Sequence, residues 1–367
     1  MAAAPAARGA PAAAAAGVLS ALPLLQGRRA DATDAGNLHP PRPDAWPRDA
    51  VLAEAAASPA IPLIRIPEML KSFLGGAVRV GIKPVLRPNF SVGFQRRWVN
   101  GLTSMLPGPR GTQVRRQTMA GLPAECVSVG EPAAGHAILY LHGGGYNIGS
   151  ARGYRVITGR IARAAQVSAH TPDYRLAPEH PHPAALDDAV AAYRWLREQG
   201  VRSIALAGDS AGGGLVLATA LALRDAGDPM PAALALISPW TDLAAQGETM
   251  KTHAARDPSQ SPAGLARWAR NYTNGLPLEH PLCSPLYADL KGLPPILVHV
   301  GSEEVVLSDS LRLRDRAVAA GVDIQVREFE GLWHDFQLHA GMLAEADESL
   351  AELGQFLRRH LNGHVLV

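Results

Sequence analysis

The sequence predicts an α/β domain, a mostly parallel sheet covered by helices on both faces. Three observations carry that reading. Short apolar runs recur at 137–141 (AILYL), 167–171 (VSAHT), 203–207 (SIALA), 233–238 (ALALIS), 295–300 (PILVHV) and 323–329 (DIQVREF). Between them lie stretches with apolar residues at helical spacing and glycine near their ends: GYRVITGRIARAA, PAALDDAVAAYRWLREQG, GGLVLATALALRDAG and SLRLRDRAVAAG. Strand alternating with helix calls for a parallel sheet, because each helix carries the chain back over one face. Finally, 367 residues with 47% apolar side chains suffice for one large core with elaborations.

The remaining segments are placed around that rhythm. Residues 1–60 are dominated by Ala, Pro, Arg and Asp without a sustained period, and predict a disordered leader outside the fold. Within it, AAAAAGVLSALPLL (12–25) is shorter than the roughly 18–20 apolar residues of a membrane span. Arg8 alone precedes it as a charge, so a cytoplasmic chain is expected, with export through an N-terminal signal as the alternative. Residues 61–109 contain EMLKSFLGGAVRVGI and FQRRWVNGLTSML, which read as short amphipathic helices. Residues 110–367 hold the α/β domain, interrupted near 244–278 by an insertion carrying Trp268 and Tyr272.

Charge and cysteine content exclude several function classes. A net charge of +2 gives no broad field to draw nucleic acid or an anionic membrane. Cys126 and Cys283 are far apart and in no CxxC or Cys/His spacing, so neither a disulfide framework nor a zinc site is expected. His180, His182, His253 and His280 fall in polar or proline-rich loops and read as solvated or structural.

Two glycine-rich motifs carry the chemistry. Gly208-Asp209-Ser210-Ala211-Gly212 follows the run SIALA and opens a helix, fitting G-x-S-x-G, in which small neighbours let the chain turn sharply and expose the serine. The helix N-terminus then aims free N–H groups at any oxyanion formed beside it. No GxxxxGK[ST] is present, because Leu215 and Val216 stand where a phosphate loop needs Lys and Ser/Thr. Upstream, His142-Gly143-Gly144-Gly145 directly follows another strand, and three glycines in a row leave N–H groups unobstructed for an oxyanion hole.

With these motifs in order, the chain resembles the hormone-sensitive-lipase family of α/β-hydrolase esterases, the bacterial carboxylesterase family IV. The resemblance rests on HGGGY (142–146), PDYRLAPEHPHPAALDD (172–188), GDSAGGG (208–214), SPWTDL (238–243) and GLWHDF (331–336), and spans about 61–362. It implies an eight-stranded, mostly parallel sheet with a helical cap, built from 61–109 and the insertion. It also implies a supporting network around Tyr174, Arg175 and Glu179, and a tendency toward homodimers.

A serine hydroxyl needs a base within hydrogen-bond reach, itself oriented by an acid. Among thirteen histidines, His334 follows the last strand in the Ser, acid, His order of this fold, with His339 the nearest competitor. The loop after PILVHV offers Glu303, Glu304 and Asp309. The family often has Asp in a D-P-L pattern here; this sequence departs from it. Spacing back from His334 as in the family selects Glu304, with Asp309 as runner-up.

The reading is a serine carboxylesterase acting on small-molecule esters with short to medium acyl chains, without metal or cofactor. Ser210 is the expected nucleophile, His334 the base and Glu304 the acid. Gly143, Gly144 and Ala211 are the expected oxyanion donors, with Asp209 bracing their loop. Phe94, Trp98, Met105 and Leu106 are candidates for the acyl pocket. The alternatives are a non-catalytic small-molecule receptor on the same fold, an amide deacetylase or a lipase.

Overall fold

The computed structural model describes residues 66–363; the expected leader, its weak signal-like stretch and the extreme C-terminus lie outside them. The chain enters the sheet through a hairpin of β1 (Thr112–Met119) and β2 (Leu122–Val129). Six further strands follow: β3 (His136–Leu141), β4 (Ser168–Pro172), β5 (Ser203–Asp209), β6 (Leu234–Ile237), β7 (Ile296–Gly301) and β8 (Ile324–Phe329). Their order is β1-β2-β4-β3-β5-β6-β7-β8, antiparallel across the first two pairings and parallel from β4 onward.

All six apolar runs read from the sequence are strands, and each is displaced by at most two residues. The hairpin was not read as strand. β1 has the sequence TQVRRQTM and lies at the sheet edge with most of its side chains in solvent, so it offers no apolar run to detect. Alternate residues of the central strands feed opposite faces, as a doubly covered sheet requires. Leu139, Leu141 and Leu206 enter one core, and Ile138, Tyr140, Ala205 and Ala207 the other.

Helices line both faces. Described first along the chain are α1 (Ile66–Gly81) and α2 (Val92–Thr103), then α3 (Arg155–Ala165), α4 (Ala184–Glu198) and α5 (Ala211–Ala226). After these come the short α6 (Thr249–Thr252), α7 (Pro262–Thr273), α8 (Leu307–Ala319) and α9 (Ala344–Leu361). Residues of α4, α5 and α8 join the first core, and α3 and α9 the second. α9 went unread although Ala346, Leu350, Leu353, Leu357 and Leu361 mark a buried helical stripe.

The two expected cap segments meet above the C-terminal ends of the strands. Gln95 on α2 accepts from Trp268 Nε1 on α7 at 3.1 Å, and Arg267 donates to the Pro88 and Phe90 carbonyls at 2.7 and 2.6 Å. Trp98 Nε1 closes α2 onto the end of α1 through the Gly81 carbonyl at 3.0 Å. Arg96 on α2 donates to the Asn147 and Ala177 carbonyls and pairs with Glu179, tying the helices to loops beyond β3 and β4.

Candidate active site

The turn between β5 and α5 is built for close approach. A Cβ on Gly208 would lie 2.6 Å from the Leu141 carbonyl oxygen, one on Gly212 2.0 Å from that same atom, and one on Gly214 2.4 Å from the Trp240 carbonyl. Only glycine lets helix and strands pack at this distance. Ser210 pays for the sharp turn with φ +51°, ψ −122°, a conformation L side chains avoid, which stores roughly 1–3 kcal/mol. The side chain is thereby presented at the mouth of the helix.

Three residues read from the sequence converge there. The Ser210 hydroxyl lies 2.8 Å from His334 Nε2, and His334 Nδ1 lies 2.9 Å from Glu304 Oε2. Glu304 can only accept, so Nδ1 carries the proton and Nε2 is left to accept from Ser210. The other oxygen of Glu304 accepts from Ser238 Oγ at 2.7 Å and Gly301 N–H at 2.6 Å, which fixes the carboxylate against the ring. Glu304 is fully buried and His334 3% exposed.

The competing residues are engaged elsewhere. Asp309 accepts the Thr241 and Asp242 N–H groups at 2.8 and 2.9 Å, bracing the loop after β6. Burial pushes its pKa up to about 7, with the charge of Asp242 adding to the rise. Glu303 pairs with Arg256. His339 packs edge-on against Trp333 with its Nδ1 3.3 Å from the Phe336 carbonyl.

Gly143 requires a correction. Its N–H donates to Asp209 Oδ1 at 2.9 Å, so it is spent on the brace and not free for an oxyanion. Among the described residues, no intramolecular acceptor is found for the N–H groups of Gly144, Gly145 and Ala211, and both glycines line the same cavity as Ser210. Both need to be glycine: they take φ +110° and +60°, and a Cβ would meet the Ile148 carbonyl at 2.3 Å or the Trp268 ring at 2.1 Å. Asp209 thus braces the loop, as read from sequence, with Tyr140 OH donating to it at 2.7 Å. Tyr174 supports the same loop by donating to the His142 carbonyl at 2.6 Å, while Arg175 pairs with Asp188.

The cavity above Ser210 holds about 510 Å³ and is lined by Val78, Ile82, Leu86, Trp98, Leu102 and Leu106 from the first two helices, the connection between them and the turn after α2. Met105 also faces it. Phe94 does not: its ring stacks between Phe90 and Trp98, at 5.1 and 6.1 Å.

A family model described as the α/β-hydrolase fold matches residues 138–338. A crystal structure of an esterase from the bacterial hormone-sensitive-lipase family superposes with a TM-score of 0.76 at 42% identity, covering 80% of this chain and 98% of that one. The chain belongs to the hormone-sensitive-lipase family of α/β-hydrolases. Curated relatives agree. An acetyl-hydrolase of Streptomyces hygroscopicus is 42% identical over 64% of this chain and 83% of its own, and an esterase of Acinetobacter venetianus 33% identical over 78% and 94%. This member of the family is a carboxylic ester hydrolase. Among the described residues, no helix is long and apolar enough to cross a membrane.

One residue of the esterase site was quoted in GLWHDF without being assigned a role. Asp335 takes φ +56° and places Oδ2 3.3 Å from His334 Nε2, while its buried Oδ1 has no hydrogen-bond partner among the described residues. Burial is the largest influence on this carboxyl and pushes its pKa well above the usual range, against the pull of His334. Burial disfavours the His334 imidazolium too, but Asp335 and Glu304 outweigh it and raise the ring's pKa. Only an ionised carboxylate beside the ring favours its protonated, non-basic form.

Proposed function

We propose that the esterase works through an acyl-serine intermediate on Ser210 and prefers short- to medium-chain acyl groups. The observation that carries this reading is the continuous chain from Ser210 through His334 to Glu304, at 2.8 and 2.9 Å, beneath free N–H groups and an apolar cavity. Ser210 Oγ attacks the ester carbonyl as its proton passes to His334 Nε2. Glu304 holds the ring and stabilises its charged form. The oxyanion accepts from the N–H groups of Gly144, Gly145 and Ala211, each worth roughly 2.7–4 kcal/mol of barrier. His334 then returns the proton to the leaving alkoxide, and water repeats the sequence to release the acid.

The helical cap in this reading comprises residues 61–109 and the insertion near 244–278, supported by the Gln95–Trp268 bond between them. A cytoplasmic location and pairing into homodimers belong to the same reading on the sequence grounds given above. p-Nitrophenyl esters from acetate to palmitate test it. A cavity of about 510 Å³ accommodates a short acyl chain and its leaving group, so kcat/KM for butyrate or hexanoate is expected to exceed that for palmitate by at least about tenfold. A maximum at palmitate would overturn the chain-length reading, and no turnover by folded protein would overturn the mechanism.

A further inference from the structure

Away from Ser210, the fold assembles a donor set that neither cysteine spacing nor histidine placement announces. One nitrogen from each of His182 and His280 and the Cys283 sulfur lie within 4.8 Å of one another. We propose that His182, His280 and Cys283 form a binding site for Zn²⁺ or a divalent transition metal of similar softness.

The backbone fixes all three. His182 N–H donates to the Tyr272 carbonyl at 2.8 Å, and Cys283 N–H closes a turn onto the His280 carbonyl at 2.8 Å. The two imidazoles are half-buried with centroids 5.4 Å apart, and the thiol is fully buried behind them. Two nitrogens and one thiolate are a borderline-soft set that suits Zn²⁺ far better than Mg²⁺ or Ca²⁺. Bond lengths of about 2.0–2.3 Å bring tetrahedral ligands to roughly 3.3–3.8 Å apart. Side-chain rotation within the half-exposed rings supplies that contraction.

His182 also lines a second cavity of about 650 Å³, walled by Leu186, Asp187, Arg194 and Glu198, none of which lines the cavity above Ser210. In this proposal the cation enters from that cavity, which reaches the ligand set at His182. Burial pushes the Cys283 thiol up to about 12, so the sulfur stays protonated without a cation. Binding replaces the S–H proton with an S–metal bond and releases the proton to solvent, with no change of oxidation state, so affinity rises with pH. The site backs onto the esterase centre through Tyr272, whose ring stacks on Tyr146 of HGGGY at 3.7 Å.

Co²⁺ titration of tag-free protein at pH 8 tests the proposal. A thiolate-to-cobalt charge-transfer band with tetrahedral visible bands is expected at one ion per chain, displaced by Zn²⁺. The band should vanish in Cys283→Ser and weaken by more than about tenfold in His182→Asn and His280→Asn. It should persist in Cys126→Ser, which removes the rival sulfur 3.8 Å from His170 Nε2. No thiolate band at millimolar Co²⁺, or one that survives Cys283→Ser or is lost in Cys126→Ser, would overturn the site. Should Cys283→Ser not fold, loss of the band in His280→Asn, on a half-exposed ring, carries the test, and its retention there overturns the proposal.

Discussion

Ser210→Ala is expected to lower kcat for ester hydrolysis by a factor on the order of 10⁶, with KM changed only a few-fold. The size follows from the loss of covalent catalysis: without Oγ, His334 has no hydroxyl proton to accept and Glu304 no imidazolium to stabilise. The oxyanion donors and the apolar cavity remain, so slow residual turnover above the rate in water is expected as well. Among the described residues, the hydroxyl's only hydrogen bond is to His334, and alanine meets the same φ of +51°. Thermal stability should therefore stay close to that of the parent, which separates lost chemistry from lost fold. A variant retaining more than about one hundredth of parental kcat would place the nucleophile elsewhere.

Glu304→Gln should cost roughly 10⁴-fold in kcat, because the amide can no longer hold the tautomer with Nδ1–H or stabilise the imidazolium. Its shape is nearly unchanged, although it must also serve Ser238 and Gly301. Asp309→Asn is the matched control and should leave kcat within about tenfold. Its effect belongs to stability. The folded carboxyl of Asp309 has its pKa raised to about 7, above the roughly 3.9 of an unfolded chain. A raised folded pKa means that the acid contributes stability that is full below the unfolded value and lost as pH rises through the folded one. Asparagine cannot ionise, so the parent's Tm should fall relative to the variant's between about pH 4 and 7. Activity lost only in Asp309→Asn would reverse the two assignments.

The parts of this molecule legible in the sequence are those where one local signal suffices. Five of the six strands read from the sequence are buried on both faces, which is why runs such as AILYL and PILVHV are apolar throughout; β8, at the sheet edge, alternates instead. The elbow was legible because only glycine tolerates such packing around Ser210. Glu304 was reachable only through the spacing back from His334 that the family resemblance implies, since Glu303 and Asp309 stand in the same loop. β1 was not, since an exposed edge strand needs no apolar face.

Other features depend on side chains distant in sequence. Which of three adjacent glycine N–H groups is taken, leaving the other two free, is decided by the Asp209 carboxylate, 66 residues away from Gly143, and no local pattern records that choice. The same is true of His182 and Cys283, which come together because the loop before α4 is held against the end of α7 by the His182 N–H bond to the Tyr272 carbonyl. Phe94 illustrates the opposite error. Its spacing fitted the pocket, yet aromatic stacking along α2 turned it away. Asp335 was visible in GLWHDF, but its meaning required the left-handed turn that brings the carboxyl back to His334.

The central claim, that Ser210 is the nucleophile, is tested most directly by a p-nitrophenyl alkylphosphonate, which an activated serine attacks at phosphorus, expelling p-nitrophenolate and leaving an adduct that water removes slowly. The account expects one equivalent of p-nitrophenol per active chain, a single added phosphonyl mass on the peptide containing GDSAGGG, and neither in Ser210→Ala. An adduct on another residue, or none in protein that still hydrolyses p-nitrophenyl butyrate, would contradict it.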